Sequence, residues 1–362
     1  MNDFNAETAV PATLVVMVID DDDVDREQIS RILKGTCEVV EARLASEGIR
    51  LVKERSVDCV LVDYHLPDED GMDVISRVRK LGLPVIMMTG QGDEQSAVEA
   101  MKRGAKDYIS KRDLKPLELK RAIESAVQIF MLEKAVSEKN EEIKLFVDHA
   151  SHDLKAPLRR LRQLGGMLST RMNNQNGAKS EELIDLIRDE ARRASDLVES
   201  LYTYCRVGRK QHRMKEVDLN SVMRDVTSTY DEAIKASRAR IQYSDLPGIQ
   251  ADVAGMRVLF GNLLANSLKY SSPDDPFIEI EVEEEERWWV FSVLDNGVGV
   301  PEESLERIFQ PFFRLHSNSD AEGSGLGLSI CRKVAEQHHG LIWAENRGTK
   351  SLRIKVRLPK ML

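Results

Sequence analysis

The sequence has no run of the roughly 18 apolar residues that a membrane-spanning helix needs, and its first thirteen residues hold no basic segment followed by an apolar core. Both absences predict a soluble, cytoplasmic chain with no membrane insertion, reached by its signal inside the cell. Cysteine is scarce. Cys37, Cys59, Cys205 and Cys331 are scattered without CxxC spacing, which fits reduced, buried thiols. Positive charge is in deficit, 52 Lys and Arg against 61 Asp and Glu for a net charge of -9, and this argues against the basic face of a nucleic-acid-binding chain. Length is not lacking: 362 residues predict two or three domains, each with its own core.

After a polar tail over 1–13, read as disordered, Leu14 to Ile19 is a continuous apolar run that stops at Asp20-Asp21-Asp22-Asp23. A run without alternation reads as a strand buried on both faces. The form returns at Val60 to Val62 ending in Asp63, at Val85 to Met88 ending in Thr89, and at Tyr108 to Ser110 ending in Lys111. Helical stretches at Arg26 to Lys34, Gly71 to Leu81 and Glu94 to Arg103 separate these runs, so the unit is βα and the sheet is parallel. Chemistry in such sheets collects at the carboxyl ends of the strands, which here gather Asp20, Asp21, Asp63, Thr89 and Lys111. The acids alone fit a cation site or a solvated face. With the other strand-end residues, oxygen-only ligands point to Mg²⁺, and Asp63 becomes a carboxylate nucleophile whose acyl phosphate the metal and Lys111 neutralise.

These residues, with Asp63-Tyr64-His65-Leu66-Pro67, Gly71 and Thr89-Gly90, resemble a response-regulator receiver domain over residues 14–132, a flavodoxin-like fold with a parallel five-stranded sheet. The resemblance implies that Asp63 accepts a phosphoryl group from an upstream phosphodonor kinase. It also implies that Asp20, Asp21 and Asp63 hold Mg²⁺, that Thr89 senses the phosphoryl group and that Tyr108 is the aromatic switch. Arg112 departs from the family, which usually has proline after the lysine.

From Pro116 to Pro157 there is no intervening proline or glycine, and charged residues alternate with apolar ones, which predicts one long helix. Ile129, Leu132, Val136, Ile143, Phe146 and Ala150 recur at three- and four-residue steps, with Lys139 the only polar entry, as in a two-stranded coiled coil over 115–150. The apolar set Ala150, Leu154, Leu158, Leu161 and Leu168 forms one helix face and leaves His152 on roughly the opposite one. Asp153 can hydrogen-bond one ring nitrogen of His152 and leave the other a free lone pair, as attack on a phosphoryl group requires. A second amphipathic helix follows a turn at Asn173 to Gly177, and two copies of such a pair make a four-helix bundle. The stretch His152-Asp153-Leu154-Lys155-Ala156-Pro157 resembles the H box of the dimerisation and phosphoacceptor domain of sensor histidine kinases, over 140–208. By that resemblance Asp153 assists the histidine, and Ala156 departs from relatives that use Thr or Asn to orient a water.

Further on, Asn262, Asn266 and Lys269 share a helix face at spacings of four and three. A strand ends in Asp295-Asn296-Gly297-Val298-Gly299, then come Ile308 to Arg314, and Gly323-Ser324-Gly325-Leu326-Gly327 opens a helix whose N–H groups can receive phosphate. In this order the segments resemble the N, G1, F and G2 boxes of the Bergerat-type ATPase domain, an α+β sandwich over 215–360. The resemblance implies that Asn266, beside Asn262, ligates Mg²⁺ and that Lys269 contacts phosphate. It also implies that Asp295 accepts from the adenine amino group, that Gly297 and Gly299 shape its pocket, that Gly323, Gly325 and Gly327 make the lid hinge, and that Arg314 stabilises the transferring phosphoryl group.

The whole reads as a multidomain hybrid histidine kinase, homodimeric, using ATP and Mg²⁺ to phosphorylate His152 and passing the phosphoryl group to a downstream response regulator or phosphotransfer protein. Two other readings are a catalytically weak dimeric scaffold regulated at Asp63 and a Bergerat ATPase clamp of non-kinase type.

Overall fold

The computed structural model describes residues 13–90, 94–173, 178–207, 214–272, 274–315, 323–347 and 351–360. The polar tail up to residue 12, the turn at 174–177 and the polar stretch at 316–322 lie outside the described residues. The chain divides into two compact units, Met1–Lys144 and Leu145–Leu362.

The first unit runs β1 (Leu14–Ile19), α1 (Asp23–Leu33), β2 (Cys37–Ala42), α2 (Ala45–Glu54), β3 (Cys59–Asp63), α3 (Gly71–Lys80), β4 (Val85–Thr89), α4 (Glu94–Arg103), β5 (Asp107–Ser110) and the first part of α5 (Pro116–Asn173). Its sheet has the order β2-β1-β3-β4-β5 with every pairing parallel. Successive strand residues face opposite sides of a sheet, and both sides are covered here. Met17, Ile19, Val60, Val62, Val85 and Met87 enter one core, whereas Val16, Val18, Leu61, Ile86 and Met88 enter the other. That is why the strands read as unbroken apolar runs. The β2 segment is more exposed at this sheet edge and was the least visible of the five in the sequence.

Helix α5 is 58 residues long and continues through Pro157. Its remainder opens the second unit, followed by α6 (Ala178–Arg206), β6 (Lys215–Asp218), α7 (Leu219–Thr229), α8 (Asp231–Ser237), β7 (Arg240–Tyr243), β8 (Gly248–Ala251), α9 (Val253–Tyr270), β9 (Phe277–Glu284), β10 (Trp288–Asp295), α10 (Gly327–Gln337), β11 (Leu341–Asn346) and β12 (Leu352–Pro359). The larger sheet has the order β11-β12-β10-β9-β7, antiparallel except for β7 beside β9. Phe291, Val293, Ile354 and Val356 on one face pack with Leu259, Leu263, Ile330 and Val334 from α9 and α10, a two-layer sandwich with one core. The tryptophans sit partly exposed on strands beside cations: the Arg357 guanidinium lies 4.7 Å from the Trp288 ring centroid and Lys355 Nζ 5.9 Å from that of Trp343.

Two expectations need correction. Cys59 and Cys331 are buried, and burial pushes the Cys59 thiol up to about 12, but Cys205 is exposed and Cys37 half-buried. On α5 Leu158 is exposed and its neighbour Pro157 is buried, so the buried stripe is shifted by one residue there. Among the described residues, no helix is long and apolar enough to cross a membrane.

Candidate active sites

Four strands of the parallel sheet deliver a polar residue at or just after their carboxyl ends to one edge. Asp20 follows β1, Asp63 ends β3, Thr89 ends β4 and Lys111 follows β5; the first three are buried. The four consecutive acids have separate jobs. Asp22 is the N-cap of α1 and accepts from the Val24 N–H at 2.8 Å, while Asp23 pairs with Arg26 and Arg43. Asp20 and Asp21 are left to converge with Asp63, so that one carboxylate oxygen from each lies within 4.8 Å of the others. Three converging carboxylates with oxygen donors only fit a hard divalent cation such as Mg²⁺. Burial raises the Asp20 carboxyl above its ordinary value, the cost a bound cation would relieve.

Lys111 Nζ lies 2.8 Å from Asp20 Oδ2, 2.8 Å from Asp63 Oδ1 and 2.9 Å from Asp25 Oδ2. Burial disfavours its charge, but hydrogen bonds to the three carboxylates outweigh that and hold its pKa above the usual lysine range. Asp25 was not foreseen from the sequence. Gly71 is required by close approach: a Cβ there would collide with the Asp63 carbonyl oxygen. Tyr108 is half exposed on β5, beside Val98 and Met101.

On α5 the His152 side chain is 85% exposed, and its Nδ1 lies 3.2 Å from Asp153 Oδ1. The other carboxylate oxygen of Asp153 is 4.0 Å from Arg314 Nη2. Earlier on α5, Phe146 stacks on Tyr204 of α6 at 4.7 Å, and His149, about one turn before His152, stacks on Phe312 at 5.6 Å between centroids. Periodicity showed Phe146 as apolar; it gave no sign that an aromatic of the F-box segment was its neighbour.

The nucleotide-type motifs come together as the sequence spacing required. Gly327, at the start of α10, faces the amide side of α9: a Cβ on it would lie 3.1 Å from Asn262 Oδ1 and 3.6 Å from Asn266 Nδ2. One on Gly323 would lie 3.0 Å from Lys269 Nζ. Asn262, Asn266 and Lys269 therefore face the glycine segment whose backbone opens the helix, a geometry suited to phosphate and a cation. Asp295, buried at the end of β10, accepts from the Gly297 N–H at 3.0 Å, and burial raises its pKa. Gly297 has no room for a side chain, because a Cβ would strike the Tyr270 carbonyl, and Gly299 has a φ of 72°.

Sequence reading missed the residues that hold these loops. Asn296 accepts from the Phe277 N–H at 3.0 Å and donates to the Asp275 carbonyl at 2.7 Å. Asn346 accepts from the Val300 N–H and donates to the Val300 carbonyl. Buried His338 accepts at Nε2 from the Asp252 N–H at 3.0 Å, and its Nδ1 is 2.7 Å from the Val334 carbonyl, which fixes the tautomer and ties α10 to the start of α9.

Comparison with known families agrees with this layout. Residues 16–124 match the response regulator receiver domain, 142–208 the His Kinase A (phospho-acceptor) domain, and 251–361 the histidine kinase-, DNA gyrase B- and HSP90-like ATPase. Its domains are those of a hybrid histidine kinase. Among the relatives of this chain, the phytochrome-like protein Cph1 of Synechocystis sp. is 31% identical over 235 residues, 64% of this chain and 31% of Cph1. The adaptive-response sensory kinase SasA of Crocosphaera subtropica is 29% identical over 232 residues, 60% of each chain. The chain thus spans about a third of the length of Cph1 and the two cyanobacterial phytochromes that it also matches. The solved complex of histidine kinase ThkA with response regulator protein TrrA shares the fold, with a TM-score of 0.52 at 24% identity over 63% of this chain and 65% of that one.

Proposed function

We propose that the chain is an ATP-dependent protein-histidine kinase that phosphorylates its own His152 and passes the phosphoryl group to an aspartate of a receiver, under control of phosphorylation at Asp63. The observation that carries this is the run His152, Asp153, Arg314: an exposed imidazole held by a carboxylate that a cation of the ATPase domain approaches. With Asp153 at Nδ1, His152 keeps its Nε2 lone pair for in-line attack on the γ-phosphorus of ATP. As the N–P bond forms, the bond from phosphorus to the β,γ-bridging oxygen breaks and ADP leaves with that electron pair. Asp153 stabilises the positive charge that develops on the ring, and Arg314 is suited to balance charge on the transferring group. In the second step a receiver carboxylate attacks phosphorus and the electron pair of the N–P bond returns to Nε2.

Asn266, with Asn262 beside it, serves as ligand for Mg²⁺, and Lys269 binds phosphate. Asp295 accepts from the adenine amino group, Gly297 and Gly299 shape its pocket, and Gly323, Gly325 and Gly327 form the lid hinge. Bound Mg²⁺ would neutralise phosphate charge in this pocket and, among Asp20, Asp21 and Asp63, in the receiver. Thr89 and Lys111 respond to a phosphoryl group on Asp63. The working divisions are a receiver over 14–132, a connecting helix over 115–150, a phosphoacceptor domain over 140–208 and a catalytic domain over 215–360. The protein acts in the cytoplasm as a homodimer, taking phosphate at Asp63 from an upstream donor and giving it to a response regulator or phosphotransfer protein. Ala156 offers no group to orient a water, which biases the protein towards kinase over phosphatase activity.

Incubation with labelled ATP and Mg²⁺ tests this reading. The label is expected to be stable in alkali, lost in acid and absent from His152→Gln; undiminished labelling of that variant would overturn it.

A further inference from the structure

Lys111 has three N–H donors and three carboxylates around them, from Asp20, Asp63 and Asp25. Asp20 and Asp63 also belong to the cation set. Asp25 does not: among the described residues, the acids close enough to share a metal ion are Asp20, Asp21 and Asp63.

Asp25 is the third residue of α1 after the N-cap Asp22. An acid at that position often reaches back to the N–H of the cap residue. That N–H is already given to Asp20 Oδ1 at 3.0 Å. Favourable charge at the helix N-terminus is a second ordinary use, and Asp23 supplies it in the same turn. Neither use accounts for a carboxylate only 28% exposed and aimed at a half-buried ammonium 2.9 Å away. The aim is fixed, because neighbouring Arg26 is buried and donates to the Asp20 carbonyl at 2.6 Å, anchoring α1 to the pocket.

We propose that Asp25 is a positioning residue that tethers Lys111 to α1 and thereby sets the affinity of the Asp63 pocket for a phosphoryl group. The inference rests on the reading of Asp63 as phosphoacceptor. The pocket holds four carboxylates against one ammonium, and a phosphoryl group brings further negative charge. Lys111 has no spare donor to meet it, so a phosphoryl oxygen must displace a carboxylate. Asp25 is the most exposed of the three and lies outside the cation set, so it is the one to yield. Its charge therefore opposes the anion twice, by repulsion and by occupying a donor.

The test is titration of the full chain with beryllofluoride, a phosphoryl mimic, at saturating Mg²⁺ without nucleotide, followed by fluorine NMR. Asp25→Asn should bind beryllofluoride roughly two- to fivefold more tightly than wild type, the scale of one partly exposed ion pair. Asp25→Glu should restore the wild-type value, and Mg²⁺ affinity without the anion should not improve in Asp25→Asn. A purely structural role at the helix start would lower the melting temperature and leave both affinities unchanged or weaker. Equal or weaker beryllofluoride binding by Asp25→Asn overturns the inference, and if that variant does not fold, Asp25→Ser carries the same comparison. Absence of binding by the wild type overturns the phosphoacceptor reading, and this inference with it. Binding by the wild type that the variants leave unaltered overturns the role of Asp25 alone.

Discussion

The backbone N–H of Phe312 donates to the carbonyl of Gly325 at 3.0 Å, and both residues have positive φ, 63° and 69°. A Cβ on Gly325 would lie 2.9 Å from the Phe312 Cα and carbonyl carbon, in a backbone region L side chains rarely occupy. Gly325→Ala therefore combines a clash with about 1–2 kcal/mol of conformational strain. The expected outcome is at least a roughly tenfold fall in the rate of His152 labelling at limiting ATP, measured by a nucleotide titration of the initial rate. Wild-type kinetics would show that the segment adapts without cost.

Asp295 gives a pH-dependent prediction. Burial raises its pKa in the folded protein, so the folded state binds more protons than the unfolded chain between the ordinary carboxylate value and the raised one. Stability without nucleotide should decline as pH rises through that interval. Asp295→Asn removes the buried charge while keeping an acceptor for the Gly297 N–H. Its nucleotide-free unfolding free energy should equal or exceed that of wild type at neutral pH, by an amount on the order of 1 kcal/mol, with a matching rise in melting temperature. Its affinity for ATP should fall about ten- to a hundredfold as a charge-assisted hydrogen bond is lost. Calorimetric melts at two pH values and a nucleotide titration check both halves.

Ile129, Leu132, Val136 and Ile143 are each more than 40% exposed along α5. Burying each fully in a dimer contributes about 1.5–3 kcal/mol. Light scattering on the full chain should give twice the monomer mass at micromolar concentration. Leu132→Glu should shift the dissociation constant upward by about tenfold or more. A monomeric wild type would remove the basis for the bundle.

Control by the receiver is testable through the rate of His152 labelling. Beryllofluoride is expected to change that rate in wild type and to leave Asp63→Asn unaffected, because the variant lacks the carboxylate that binds it. Equal rates with and without beryllofluoride in both proteins would leave Asp63 as a phosphate acceptor only.

The parallel sheet was legible because its strands are buried on both faces and so stand out as apolar runs with a polar residue at each end. The glycine and amide motifs were legible because their function depends on local spacing. Contacts between distant segments were not. Nothing near His338 in the sequence points to Asp252, 86 positions away, and the Phe312 partner His149 sits on a helix whose periodicity describes only its own faces. Asp25 was hidden differently: in a run of acids its charge looks redundant, and only the position of Lys111 separates it from its neighbours.

Pro157 lies inside α5, five residues beyond His152, and it has no N–H to give. The carbonyl four residues before it belongs to Asp153, so the residue that holds the imidazole is also the one whose backbone loses its usual helical donor. The helix thus lacks one backbone hydrogen bond beside the proposed phosphoacceptor His152. In a hydrogen-exchange map this point should appear as a short seam of fast amides just after His152, set in slower exchange on either side, and Pro157→Ala should close the seam while costing the helix the freedom to bend there.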